Sequence, residues 1–186
     1  MRIISGQLKG KPLIFLKSST TRPLKDSVKE NIFNILKHSN LINVKVEKSN
    51  ILDLYSGVGS FGLESVSRGA KKVTFIEQDK IAVNILKKNL TQLSLLEKCT
   101  TINDKVENFL AKKNKEKYNI FFFDPPFAYN DFIENINLIK KKKIFEKKHI
   151  VIIHREKKSD DDFKGLVNIL VTKKYGRSKI IIGVIS

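Results

Sequence analysis

Asp53-Leu54-Tyr55-Ser56-Gly57-Val58-Gly59-Ser60-Phe61-Gly62 joins an apolar run, residues 51–54, to a stretch of helical spacing, residues 62–68, that stops at Gly69. Strand, glycine loop and helix in that order open a nucleotide-type α/β unit. Gly57 and Gly59 permit tight backbone turns and close approach of a ligand, and Gly62 lets the helix lie against the sheet. Alone, a Gly-x-Gly loop is shared by nicotinamide, flavin and other nucleotide sites. Three details narrow it. Asp53 closes the strand, where a carboxylate suits a cationic ligand better than a pyrophosphate; a helix-capping acid is the plainer reading. Glu77 ends the next strand, 20 residues after Gly57, where an acid can hold both ribose hydroxyls or simply face solvent. Asn103-Asp104 ends the third strand, where a side chain can bond an adenine amino group or form an ordinary Asx turn. A ribose, an adenine and a cationic remainder without phosphate describe S-adenosylmethionine. The candidate cofactor set is Asp53, Tyr55, Ser56, Gly57, Gly59, Glu77, Asn103 and Asp104.

Outward from this loop, strands and helices alternate. Strands are expected at 72–76, 100–103, 120–123 and 150–153, and helices at 81–93, 105–111 and 132–139. Apolar strands separated by helices imply a largely parallel sheet covered on both faces. The last two strands, 169–171 and 180–185, have no helix between them and read as an antiparallel hairpin. The expectation is a three-layer α/β sandwich, Rossmann-like, with a mostly parallel seven-stranded sheet. Upstream, residues 2–5 and 11–17 read as a hairpin around Gly6 and Gly10. Thr20-Thr21-Arg22-Pro23 breaks the chain, and a helix follows to about residue 37 with Val28, Ile32, Phe33 and Leu36 on one face. The chain thus divides into a small N-terminal hairpin and helix, 1–40, and an α/β core, 41–186.

A second motif, Asp124-Pro125-Pro126-Phe127, follows the apolar run Ile120-Phe121-Phe122-Phe123. A buried strand cannot extend its ladder through two prolines, which lack the N–H donor. The chain leaves the sheet there with a carboxylate, a rigid turn bearing free carbonyls and an exposed ring. Those four residues make a pocket for a flat, amino-bearing ligand such as a nucleobase, or else an ordinary strand-end turn.

Composition sets the remaining bounds. The formal net charge of +17 over 186 residues favours a polyanionic partner, since each lysine or arginine brought to a phosphate releases counterions. Charge does not separate RNA from DNA. One cysteine, Cys99, excludes an internal disulfide and a multi-cysteine metal site, and the three histidines are scattered. No metal site is expected. No apolar run reaches the roughly 18 residues a membrane span needs, and no signal-peptide block follows Met1. The expectation is a cytoplasmic protein, with nothing demanding more than a monomer.

Both motifs, in this order, are similar to those of class I methyltransferases that modify amino groups. The N-terminal stretch narrows the likeness. Arg2-Ile3-Ile4-Ser5-Gly6, Thr21-Arg22-Pro23, Asp26-x-Val28-Lys29-Glu30 and Phe33-Asn34-x-Leu36 resemble the RsmD family, as do Gly62-Leu63-Glu64, Ser67-Arg68-Gly69-Ala70 and Ile76-Glu77-Gln78-Asp79. That resemblance implies methylation of a guanine N2 amine in bacterial small-subunit (16S) ribosomal RNA, on a protein-bound particle. It implies Asp124, Pro125, Pro126 and Phe127 as the catalytic group. Arg2, Lys9, Lys11, Arg22, Lys25 and Lys29 are the candidate phosphate contacts of an RNA-reading N-terminal segment. The runs 140–143 and 147–148 read as an exposed helix end. Three rivals stay open. One is a DNA adenine-N6 methyltransferase, which also carries an Asp-Pro-Pro-aromatic motif. Another is a protein-glutamine methyltransferase, which would carry Asn for Asp124 and Tyr for Phe127. The third is a non-catalytic RNA-binding assembly factor.

Overall fold

A computed structural model describes residues 1–15, 24–113 and 115–186. Arg22, with the break around it, lies outside the described residues.

Seven strands form one sheet: β1 (Asn50–Leu54), β2 (Lys72–Glu77), β3 (Cys99–Asn103), β4 (Tyr118–Phe123), β5 (Phe145–Glu156), β6 (Val167–Tyr175) and β7 (Ser178–Ile185). Their order is β3-β2-β1-β4-β5-β7-β6. The first five are parallel, and β7 runs antiparallel between β5 and β6. Five helices accompany them: α1 (Asp26–His38), α2 (Ser60–Ser67), α3 (Lys80–Gln92), α4 (Val106–Ala111) and α5 (Phe132–Lys142). Side chains alternate across the sheet, so neighbours in sequence feed opposite cores. Ile51 and Phe122 join Phe61 and Phe75 under α1, α2 and α3. Leu52, Phe121 and Phe123 join Phe132 and Ile136 under α4 and α5. With both faces covered, the central strands read as unbroken apolar runs rather than alternating ones.

From β1 the chain winds outward to β2 and β3, then returns to place β4 and β5 on the other side. The order reverses between β1 and β4. Crevices for ligands open at the carboxyl ends of strands at such a reversal, and both motifs sit there.

Two expectations at the periphery are corrected. β5 begins at Phe145, not 150, so Lys147 and Lys148 lie in a strand rather than on a helix end. Its first residues are polar and partly exposed, which hid them from an apolar pattern. Among the described residues the N-terminal hairpin keeps one antiparallel bridge, Arg2 to Pro12, with Ile3 N–H donating to the Lys11 carbonyl at 2.9 Å and Leu13 N–H to the Met1 carbonyl at 3.1 Å. Pro12 has no donor to extend the ladder, and amides after Ile3 turn to α2. Ile4 and Ser5 N–H donate to the Glu64 carboxylate at 2.7 and 3.0 Å. Gln7 and Leu8 N–H donate to the Ser67 carbonyl and hydroxyl at 2.8 and 3.0 Å. Gly6 is compulsory there, because a Cβ would fall 2.0 Å from the Ser67 carbonyl oxygen.

Lys29 is also corrected as a phosphate contact. It is fully buried, its Nζ donating to the Arg2 carbonyl at 2.9 Å and standing 3.7 Å from Glu64. Burial pulls its ammonium below the ordinary lysine value against the opposing pull of Glu64 and Asp26. An ammonium enclosed this way cannot reach RNA. Arg2, Lys9, Lys11 and Lys25 are exposed. Ile3, Leu13, Val28, Ile32 and Phe33 share one hydrophobic core with β1 and β2, so the segment 1–40 is packed into the same body as the rest.

Candidate active site

A cleft of about 1120 Å³ opens at the ends of β1, β2 and β4 and brings the two motifs together. Its first wall is the glycine loop. Tyr55, Gly57 and Gly59 have φ of 60°, 53° and 86°, the left-handed region that glycine enters freely. Gly57 N–H and Asp79 N–H donate to the two oxygens of Glu77, each at 2.8 Å. Ser56 N–H donates to the Ile76 carbonyl at 3.1 Å, while its hydroxyl oxygen is buried with no partner among the described residues.

The two loop glycines differ in a testable way. A Cβ on Gly59 would stand 2.4 Å from Leu86 Cδ1 and 3.2 Å from Phe75, whereas on Gly57 it would meet nothing within 4 Å. Gly59→Ala therefore combines backbone strain with overpacking and is expected to lower the unfolding free energy by about 2–5 kcal/mol. Gly57→Ala carries the strain alone, about 1–2 kcal/mol. Urea unfolding of the two variants measures the gap.

Asp53 holds the helix start and also borders the cleft. Its Oδ2 accepts from Gly62 N–H at 2.9 Å, holding the start of α2, and the residue also lines the cleft. Burial pushes its carboxyl well above the usual range, and the nearby charges of Asp124 and Glu77 add to the rise. Such a group is short of a positive neighbour. The cleft wall shares that deficit among the described residues: Asp53, Glu77, Asp79, Asp104, Glu107, Asp124 and Asp131 line it with one lysine, Lys105. In a chain of net charge +17, an acidic cleft disfavours a polyphosphate and suits a cation.

Asn103 departs from expectation. Its Nδ2 donates to the carbonyls of Glu77 and Gln78 at 2.9 and 3.0 Å, tying down the turn after β2, and it is not part of the cleft wall. Asp104 does line the wall. Its carboxylate takes Lys112 and Asn108 at 2.7 and 2.8 Å, and those two bonds hold it down at about 2.

The second motif forms the opposite wall. Phe127 is half-buried and Pro125 buried. Pro126's carbonyl accepts from Tyr129 N–H at 2.8 Å and from Arg155 Nη1 at 3.3 Å. The Pro125 carbonyl accepts nothing among the described residues, so one turn carbonyl is spent and the other, on a residue that lines the cleft, is unused by them. Asp124 Oδ1 accepts from His154 Nδ1 at 2.8 Å, while Oδ2 takes no hydrogen bond from the described residues.

Two supports of this wall carry no motif. Arg155, 1% exposed, pairs with Asp161 at 3.0 Å, donates to the Tyr129 carbonyl at 3.2 Å and to Asn130 at 2.9 Å, and stacks over Phe132 at 4.6 Å. It straps the turn to β5. Asn135, buried on α5, donates to the Tyr55 hydroxyl at 2.7 Å and to Glu107 at 3.2 Å. Tyr129, which reads from sequence as a base cover or surface packing, donates to Glu107 and sets its ring edge to Tyr55. The available signal for His154 and Arg155 was their place just past the run 150–153, at the end of a strand beside β4.

Comparisons with known proteins follow this geometry. A family model described as "Conserved hypothetical protein 95" matches residues 1–184. Ribosomal RNA small subunit methyltransferase D of Haemophilus influenzae is 37% identical over 159 residues, covering 84% of this chain and 79% of that one. The protein of the same name from Escherichia coli strain K12 is 36% identical over 140 residues, 75% of this chain and 67% of its own. The solved structure of yhhF from Escherichia coli superimposes with a TM-score of 0.84 at 28% identity, over 98% of this chain and 96% of that one. The glycine loop, the Asp124–Phe127 turn and the N-terminal segment thus belong to one inherited body: the chain is a member of the conserved hypothetical protein 95 family, the RsmD family.

Proposed function

We infer that the protein is a methyltransferase that uses S-adenosylmethionine to methylate the N2 amine of a guanine in small-subunit ribosomal RNA. The observation that carries this reading is the pairing of two acceptors unused by the described residues, Asp124 Oδ2 and the Pro125 carbonyl, with an acidic cleft behind them. The residues of the cleft suit the cofactor. Among the described residues Asp53 has no cation beside it and the Ser56 hydroxyl has no partner, and Gly57 leaves open space where any side chain would project. Asp53, Ser56, Gly57 and Glu77 would hold it, with Asp104 on the adenine side. When bound, it supplies a methyl group on a positively charged sulfur.

The protein's own part is to prepare the amine. Guanine N2 is a weak nucleophile because its lone pair is delocalised into the ring. Hydrogen bonds from its two protons to Asp124 and the Pro125 carbonyl favour a more tetrahedral nitrogen and aim the lone pair. Phe127 stacks on the base and fixes its plane. Positioning of this kind contributes up to about 7–11 kcal/mol in favourable intramolecular reactions. Asp124 is then placed to take the proton that the methylated nitrogen sheds. The base must leave its stack to enter, and Arg2, Lys9, Lys11 and Lys25 offer exposed charge for the flanking phosphates.

Incubation with labelled S-adenosylmethionine tests the reading. Label is expected in RNA of small ribosomal subunits and not in duplex DNA. Transfer to duplex adenine with none to ribosomal RNA would replace the reading by that of a DNA methyltransferase.

A further inference from the structure

We propose that His154 is a positioning residue for Asp124, with Ser178 holding the far edge of its ring, so that a Ser178–His154–Asp124 chain aims the carboxylate at the substrate amine. The proposal rests on the methyl-transfer reading above and assigns roles to two residues that neither motif contains.

The sheet builds this chain. In the parallel pairing of β4 with β5, Phe123 stands opposite Ile153, so Asp124, where β4 ends, comes beside His154, where β5 continues. In the antiparallel pairing of β5 with β7, His154 stands opposite Ile180, and Ser178 is its diagonal neighbour on the same face. His154 Nδ1 lies 2.8 Å from Asp124 Oδ1, and Nε2 lies 2.9 Å from Ser178 Oγ. His154 is buried, lines the cleft and meets the Phe127 ring edge-on at 5.6 Å.

The polarity follows from donor and acceptor chemistry. An ionised carboxylate only accepts, so Nδ1 carries the hydrogen. A neutral ring then presents a lone pair at Nε2, which the Ser178 hydroxyl donates to. Histidine free in water prefers the other tautomer, so the site imposes this one. One Asp124 oxygen is held by Nδ1–H, and the other is left facing the cleft.

Two measurements test this. Nitrogen-15 spectra of the cofactor-free protein should show His154 protonated at Nδ1 and bare at Nε2. His149 provides an internal reference, because Ile185 N–H donates to its Nε2 at 3.1 Å. Asp124→Asn, whose amide can either donate or accept, should release His154 into a tautomer mixture. A wild-type His154 protonated at Nε2 alone would overturn the proposal, with no substrate required. In kinetics, His154→Ala should lower kcat about 10–100-fold, leaving KM for S-adenosylmethionine within about twofold. His154→Asn, whose amide can replace the Nδ1 donor, should recover most of kcat. Unchanged kcat in His154→Ala, or a His154→Asn variant as slow as His154→Ala, would reject the role. A wild-type protein that methylates no ribosomal RNA would instead reject the underlying reading.

Discussion

Asp124→Ala is expected to lower the rate of methyl transfer by about 10²–10⁴-fold, the span removed with a positioned acid–base group. In the proposed mechanism its carboxylate accepts from the incoming amine, His154 holds one of its oxygens, and the Arg155 strap holds the turn that follows. Affinity for S-adenosylmethionine should change little. Asp124 faces the substrate end of the cleft, and loss of one screened charge alters cation binding by about 1 kcal/mol, roughly fivefold. Calorimetric titration of the cofactor and single-turnover transfer to small subunits separate the two effects. Normal turnover in the variant would remove Asp124 from the mechanism. Loss of cofactor binding equal to the loss of rate would make it a cofactor ligand instead.

Glu64→Ala should have the largest effect on stability, a loss of about 3–5 kcal/mol. Glu64 is fully buried on α2 and takes Ile4 N–H, Ser5 N–H and Arg68 Nε at 2.7, 3.0 and 2.7 Å, with Lys29 at 3.7 Å. Its removal leaves the enclosed ammonium with the Asp26 carboxylate alone, at 3.7 Å, and two backbone donors unsatisfied, which is why breaking such a pair costs more than the pair contributes. Much of the N-terminal segment's anchorage goes with it. Denaturant unfolding should show the loss, and Lys29→Met added to Glu64→Ala should restore part of it by removing the stranded charge. A double variant no more stable than Glu64→Ala would show that the backbone contacts, not the charge, dominate.

Much of this molecule is readable without coordinates because its core obeys simple periods. The runs 51–54, 72–76 and 120–123 are apolar on both faces and short, which only a doubly covered sheet explains. The loop after Leu54 and the turn after Phe123 declare themselves through glycine and proline, whose backbone limits are local. What stayed hidden depends on partners far apart in sequence. Lys29 was one step from legible: with Phe33 and Leu36 it falls on the buried face of α1, four and seven residues apart. Its partner Glu64, on another helix, was not legible. Asn103 was misassigned because residue type and position fit an adenine contact, whereas the turn carbonyls of Glu77 and Gln78 claimed its amide. His154 and Asp124 meet only through the register of β4 against β5, and Ser178 only through β7 slotting in between β5 and β6.

The central claim is the chemical identity of the methylated group. Small subunits incubated with the protein and labelled S-adenosylmethionine, then digested to nucleosides and separated by mass spectrometry, give the direct measurement. The expected product is N2-methylguanosine from 16S ribosomal RNA, made by the wild type and absent with Asp124→Ala. Label recovered as a methylated adenine, or as protein methylglutamine with none in guanosine, would contradict it.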